Sequence, residues 1–217
     1  MSLDLSDTYL PQVAIIANGD LRLNSTISML LDNVPHIIVC DGATSSFLAL
    51  CSRRPDVIIG DGDSVDDRDL ERIGMKFTWI PDQETNDLTK AVTYALQKGW
   101  NQICILGASG RREDHTLGNI ALLAEYYDMG AEVRMITDYG VMFPFKGLLR
   151  IEVAIQQQLS FFALRPSPMS ARGVAYPFEN RTFNALWEAT LNYAVEEVVE
   201  VESEEVALIY IANEVRG

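Results

Sequence analysis

Six short apolar runs, rich in β-branched residues and separated by stretches of helical spacing, constrain this chain more than any other feature. The runs are Val13–Ala17, Ile37–Cys40, Val57–Ile59, Phe77–Ile80, Ile103–Leu106 and Val133–Ile136. Unbroken runs of this length suit buried parallel strands, because both faces of such a sheet are covered. Between two of them, Leu88, Ala91, Val92, Ala95 and Leu96 recur at i, i+3, i+4, i+7 and i+8, which makes a single apolar helical stripe. Thr85, Asn86 and Asp87 offer N-caps ahead of it, and Gly99 offers a stop after it. A second helix is predicted from about Asp114 to Met129, with Leu117, Ile120, Ala121 and Ala124 on its apolar face and Gly130 beyond its end. Such alternation predicts an α/β fold built on a doubly wound, Rossmann-like, mostly parallel sheet.

The pattern changes after Tyr139. Val141–Phe145, Leu148–Val153, Leu159–Leu164, Gly173–Phe178, Val195–Val201 and Val206–Ile211 read as strands, with no long helical stripe between them. Short strands at this spacing predict an antiparallel β-sandwich or barrel. Composition shifts as well: from Ile151 onward there are ten Glu and four Arg but no Asp and no Lys. Two domains are therefore expected, 1–139 and 140–217. No flexible linker separates them, so tight packing is expected too.

The formal net charge is −14 over 217 residues. Such a surface repels nucleic-acid phosphates, which disfavours a nucleic-acid partner. It would also repel a nucleotide unless arginines, backbone N–H groups or a cation offset the field. The three cysteines, Cys40, Cys51 and Cys104, are odd in number and contain no C-x-x-C pair. They form neither a disulfide framework nor a zinc site and suit a reducing compartment, so a cytoplasmic location is expected. Met1–Pro11 lacks the apolar core of a signal peptide, and the run Val206–Ala212 is too short to span a bilayer.

Three strand-to-helix loops carry candidate chemistry. Gly60-Asp61-Gly62-Asp63-Ser64 directly follows the apolar run Val57–Ile59. Ligands of open α/β sheets bind at the carboxyl ends of strands. Two carboxylates in one tight loop repel each other unless a cation lies between them, and hard oxygens suit Mg²⁺. A solvated Asp-Gly turn is the competing reading. Asp82 to Asp87 lies likewise before a helix, where Asp87 is either a metal ligand or a cap. Gly107 to His115 contains small residues that admit phosphates, followed by Arg111 and Arg112, which can pair with phosphate oxygens. His115 is either a proton-transfer group or an ordinary helix-start residue. No G-x-x-x-x-G-K-[ST] loop, G-x-G-x-x-G fingerprint or G-x-S-x-G elbow is present.

Taken in order, these segments resemble the thiamine pyrophosphokinase family over nearly the whole chain. Asn18-Gly19 ends the first strand and Asp41-Gly42-Ala43 the second. Pro55 to Ser64 is similar to that family's proline-aspartate strand ending in G-D-x-D-S. Asp82 to Lys90 resembles its acidic D-Q-D-x-T-D segment, and Gly107 to Asn119 resembles its G-A-x-G-G-R-x-D-H-x-x-x-N segment. Glu84, Asn86 and Arg111 depart from the family's Asp, Thr and Gly. Thr190-Leu191-Asn192 stands where the family has a Ser-Asn pair, so the serine hydroxyl is missing.

The resemblance implies transfer of a pyrophosphoryl group from ATP to the hydroxyl of thiamine, giving thiamine diphosphate and AMP. It implies Asp61, Asp63 and Asp87 as Mg²⁺ ligands and catalytic residues, with Arg112 as the catalytic cation. It implies nucleotide contacts from Asn18, Asp41, Gly42, Ser64, Gly110, Arg112, Asp114 and His115. Thiamine contacts are expected from Gln83, Tyr176 and Asn192, and the chain is expected to be a homodimer with neither nucleic-acid nor membrane partners. The competing expectations are a pyrophosphokinase for another hydroxymethyl heterocycle, such as a pterin, and a non-catalytic sensor of thiamine or nucleotide.

Overall fold

The computed structural model describes residues 11–61, 77–80 and 84–216. The elements in chain order are β1 (Val13–Ile16), α1 (Ser25–Asn33), β2 (His36–Cys40), a 3-10 turn (Asp41–Ala43), α2 (Thr44–Leu50), β3 (Val57–Gly60), β4 (Phe77–Trp79), α3 (Asp87–Gln97), β5 (Gln102–Leu106), α4 (Glu113–Asp128) and β6 (Glu132–Ile136). Strands alone follow: β7 (Gly140–Glu152), β8 (Gln157–Ala163), β9 (Pro168–Arg172), β10 (Phe178–Thr182), β11 (Asn192–Tyr193) and β12 (Val198–Val215). The protein is α/β with one mixed sheet, whose main path runs β10-β9-β12-β7-β6-β5-β1-β2-β3-β4, while β8 pairs with β12 and β11 pairs with β8.

From β6 to β4 every neighbouring pair is parallel. Because strand side chains alternate between faces, β1, β2, β3, β5 and β6 feed two cores. Ile15, Ile38, Ile59, Ile103 and Ile105 meet α3 and α4 on one face. Ala14, Ile16, Ile37, Val39 and Ile58 meet α1 and α2 on the other. Each wholly buried isoleucine is worth roughly 1.5–3 kcal/mol relative to exposure. The two helix layers explain why β1, residues 37–40 of β2 and residues 103–106 of β5 are apolar at every position.

Helix α3 follows its sequence stripe: Leu88, Ala91, Val92 and Ala95 are buried, and Leu96 packs against the same core. Helix α4 does not. Leu117, expected on the apolar face, is 65% exposed, and Ala121 is exposed too. The buried positions are Leu123 and Tyr126, with Ile120 and Leu122 packed beside them. The inward face of the first turns carries polar Thr116 and Asn119, because Asn119 donates its amide to Ala108 O (2.9 Å) and borders a cavity. Of the expected face, Ile120 packs against the core and Ala124 is half-buried, so hydrophobic spacing finds the buried side of this helix only in part.

The antiparallel part also differs from the expected set of short strands. The runs at 141–145 and 148–153 are one strand, β7, and those at 195–201 and 206–211 merge into β12. β12 pairs with β7 along its length but changes its other neighbour. Residues 200–203 face β9 and residues 207–215 face β8. A register shift between Ser203 and Ala207, with Ser203 Oγ donating to Glu205 O (2.8 Å), makes that change possible. The expected strand at 173–178 is mostly a turn, begun at Gly173, whose φ is 77°. A Cβ there would strike the Val198 carbonyl. The antiparallel strands are not detached from the parallel ones: β6 pairs with β7 antiparallel, so the sheet is continuous. Among the described residues no helix is long and apolar enough to cross a membrane.

Candidate active site

Within the parallel part, β1 sits between β2 and β5, so the chain leaves β1 toward one side and later returns to the other. The helices that follow β1 and β5 consequently pack on opposite faces of the sheet, which marks the carboxyl ends of these strands as the place where open α/β sheets hold ligands. A cavity of about 420 Å³ occupies this place. Its walls are Ala17–Gly19 after β1, Cys40–Gly42 after β2, Asn86–Leu88 at the start of α3, and Ala108, Gly110–Arg112, His115 and Asn119 from the β5–α4 segment.

One wall is acidic. Asp41 is 2% exposed, and its Oδ1 accepts from Gly42 N at 2.5 Å. Gly60 makes room for it, since a Cβ at Gly60 would overlap the Asp41 carboxylate. Asp87 opens α3, where Asn86 supplies the cap by accepting from Thr89 N at 2.8 Å. Lys90, one turn on and nearly buried, holds Asp87 Oδ1 at 2.9 Å. The negative potential of this wall reaches the thiol beneath it. Burial pushes the Cys40 thiol up, and the Asp87 and Asp41 carboxylates push it further, so it stays protonated and inert.

The opposite wall is basic. Arg112 precedes α4, whose N-terminal N–H groups carry partial positive charge. Asp114 holds the guanidinium in a two-point contact, Nε to Oδ1 at 3.1 Å and Nη2 to Oδ2 at 2.6 Å. Arg111 crosses to the β1 loop, donating through Nη1 to Asn18 Oδ1 at 2.6 Å. Carboxylates facing guanidiniums across one cavity suit a polyanionic ligand accompanied by a cation.

The cavity thus gathers Asn18, Asp41, Gly42, Asp87, Gly110, Arg112 and His115 from the expected set. Asp114 touches Arg112 and is not part of the lining. Asp61 is half-buried just after β3 and likewise outside the lining. Asp63, Ser64 and Gln83 lie outside the described residues. Tyr176 and Asn192 belong to the antiparallel part. Asn192 is buried, donates Nδ2 to Tyr176 O (2.9 Å) and accepts from Tyr176 N (3.1 Å), while the Tyr176 side chain stands 63% exposed. The residue pattern assigned no role to Lys90 or Asn119, while Arg111, expected with Arg112 to pair with phosphate oxygens, is turned toward Asn18. The spacing of Asp87 to Lys90 and of His115 to Asn119, three and four residues on a helix, was the available signal.

The fold and cavity define an α/β protein whose ligand cleft sets carboxylates against guanidinium groups at the carboxyl ends of parallel strands. Comparison with known proteins gives the family. The thiamin pyrophosphokinase catalytic domain matches residues 27–135, and the thiamin pyrophosphokinase substrate-binding domain matches residues 140–210. The chain belongs to the thiamin pyrophosphokinase family. It is 24% identical over 183 residues to thiamin pyrophosphokinase 1 of Caenorhabditis elegans, covering 77% of this chain and 75% of the relative. It is 32% identical over 128 residues to thiamine pyrophosphokinase of Bacillus subtilis, covering 57% and 59%. A crystal structure of thiamine pyrophosphokinase from Bacillus subtilis shares the fold, with a TM-score of 0.76 at 24% identity, covering 92% of this chain and 97% of the other.

Proposed function

We infer that this chain is a transferase that moves a pyrophosphoryl group from ATP to the hydroxyl of thiamine, giving thiamine diphosphate and AMP. The observation that carries the reading is the joint match to a catalytic and a substrate-binding domain of one family, in order along the chain, with the charged cavity inside the first. The thiamine oxygen bonds to the β-phosphorus of ATP, the bond from that phosphorus to the oxygen bridging it to the α-phosphate breaks, and AMP leaves with the electron pair. A nearby carboxylate takes the hydroxyl proton. Such transfer relies on positioning and charge stabilisation, which the cavity's residues supply. Arg112, steadied by Asp114, meets charge on the phosphate oxygens. His115, Asn18, Gly42 and Gly110 line the path of the nucleotide, with Ser64 added from outside the described residues.

Mg²⁺ is part of the proposal. Among the described residues no group of three His, Cys, Asp or Glu is gathered to hold a metal. The donor chemistry nevertheless fits, since Asp41 and Asp87 bring hard carboxylate oxygens to one cavity and Mg²⁺ commonly completes its shell with water and phosphate. Asp61, Asp63 and Asp87 are the proposed ligands, and a bound Mg²⁺ would neutralise phosphate charge. Incubation with ATP, Mg²⁺ and thiamine, followed by separate quantification of nucleotides, tests the reaction. Equal amounts of AMP and thiamine diphosphate are expected, with neither formed when a chelator replaces Mg²⁺. Stoichiometric ADP with thiamine monophosphate would overturn the reading, and turnover of a hydroxymethyl pterin in place of thiamine would redirect it.

Residues 1–139 are proposed as the ATP-binding, Rossmann-like domain and 140–217 as a thiamine-binding β-sandwich. The buried cluster shared by Phe145, Phe161, Met169, Val199 and Val201 supports an independent core in the latter. Gln83, Tyr176 and Asn192 are the proposed thiamine contacts, with the exposed Tyr176 ring offering a flat face to the pyrimidine and cation–π attraction to the thiazolium. If so, Tyr176→Ala raises the KM for thiamine and leaves that for ATP nearly unchanged. A homodimer in the cytoplasm is the proposed working form, and a monomer in sedimentation with full activity would count against the dimer.

A further inference from the structure

Arg111 is a part of the cavity wall that the reaction above does not use. It stands at φ 60°, in the left-handed region that side-chain-bearing residues seldom adopt, directly after Gly110 at φ 79°. Its contacts hold it there. Nη1 donates to Asn18 Oδ1 at 2.6 Å and reaches Asn18 O at 3.4 Å, while Nε lies 3.6 Å from Asp20 Oδ1. The backbones of the same two loops are joined by Gly19 N to Gly107 O at 2.6 Å and Asp20 N to Ser109 O at 2.8 Å. A Cβ at Gly110 would come within 2.7 Å of Asp20 Oδ2, so the loops after β1 and β5 lie in direct contact.

A guanidinium has N–H donors and no acceptor. The Asn18 atom that faces Arg111 must therefore be the oxygen, since the flipped amide would set donor against donor. That choice directs Nδ2 to the other side, against Gly42, where a Cβ would overlap it. Arg111, Asn18 and Gly42 all line the cavity. We propose that Arg111 is a positioning residue for nucleotide binding: it locks the Asn18 amide so that Nδ2 is presented at the Gly42 edge of the cavity as a donor to an oxygen of ATP. The proposal rests on the reading of ATP as co-substrate.

Calorimetric titration with Mg²⁺-ATP of the full chain, of Arg111→Gly, of Asn18→Ala and of the double variant tests it. Glycine accepts φ 60° without strain, so Arg111→Gly should melt no lower than wild type; if it fails to fold, Arg111→Asn, also tolerant of this φ, takes its place. The single variants should each weaken ATP binding about tenfold, the scale of one lost hydrogen bond to a charged group. The double variant should bind no more weakly than Asn18→Ala alone, because both changes remove the same donor. The KM for thiamine should stay put. Unchanged affinity in Arg111→Gly, or losses that add in the double variant, would overturn the proposal, as would a wild-type protein that binds no ATP. A wild type that binds ATP but forms no AMP with thiamine would sink the proposed reaction and leave this test intact.

Discussion

Asp114 illustrates how a residue's role depends on its immediate partners. Its carboxylate accepts from Arg112 and from His115 N at 2.9 Å. The Arg112 hydrogen bond, first among the causes, holds its pKa down at about 2, against an ordinary 3.8. The sign follows from the direction. A depressed folded value means that the pair's contribution is complete above the ordinary value and fades as pH falls through the folded one. The pair should thus persist at every pH at which the protein would be assayed. NMR titration of the Asp114 carboxyl should find it near 2 in the wild type and close to its ordinary value in Arg112→Ala. An unmoved midpoint in the variant would show that Arg112 is not its partner in solution. The family resemblance made both residues candidates for nucleotide contact; only the bidentate geometry separates the group that faces the cavity from the one that steadies it.

At the scale of elements, α3 and α4 differ in how plainly they can be read. Every part of α3 is local: an Asn86 cap, an apolar stripe and Gly99 at φ 78° beyond its end. Replacing Asn86 by Ala removes the acceptor for Thr89 N and should cost about 1 kcal/mol, read as a lower denaturation midpoint in urea. Because Asp87 is the first residue of that helix, turnover should fall with it; a variant of wild-type stability would show that the cap is not formed. In α4 the local signal misleads. Thr116 and Asn119 point inward because the helix start borders a polar cavity, while Tyr126, a residue able to sit on either face, is buried with its hydroxyl bonded to Thr89 Oγ1 at 2.9 Å. No spacing rule ranks a half-buried asparagine above an exposed leucine.

The whole molecule is joined more closely than the change in pattern at Tyr139 suggests. Leu208 of β12 is buried in the same cluster as Ile15 and Ile105, and Met142, Phe162 and Leu164 pack against it. The sheet continues across β6 and β7. Removing residues 140–217 would therefore uncover the core of the parallel part. Calorimetry should record one cooperative unfolding transition, with van't Hoff and calorimetric enthalpies in agreement. Two resolved transitions would mean that the shared cluster does not couple the halves.

By itself the sequence determined the α/β alternation, the strands β1, β2, β3, β5 and β6, the helix α3 and the loops in which charged residues collect. These depend on periodicity and on short turn and cap signals, all of which act over a few residues. Tertiary structure decided what depends on distant partners. It joined four expected strands into β7 and β12, because the bulge after Ser203 lets one long strand serve two neighbours. It turned α4 about its axis to bring Asn119 to the cavity. It placed Asp41 against Gly60 at the end of β3 and set Arg111 against Asn18, residues separated by 93 positions in the chain. Contacts of that range have no local pattern, because they exist only when the carboxyl ends of separate strands are brought side by side.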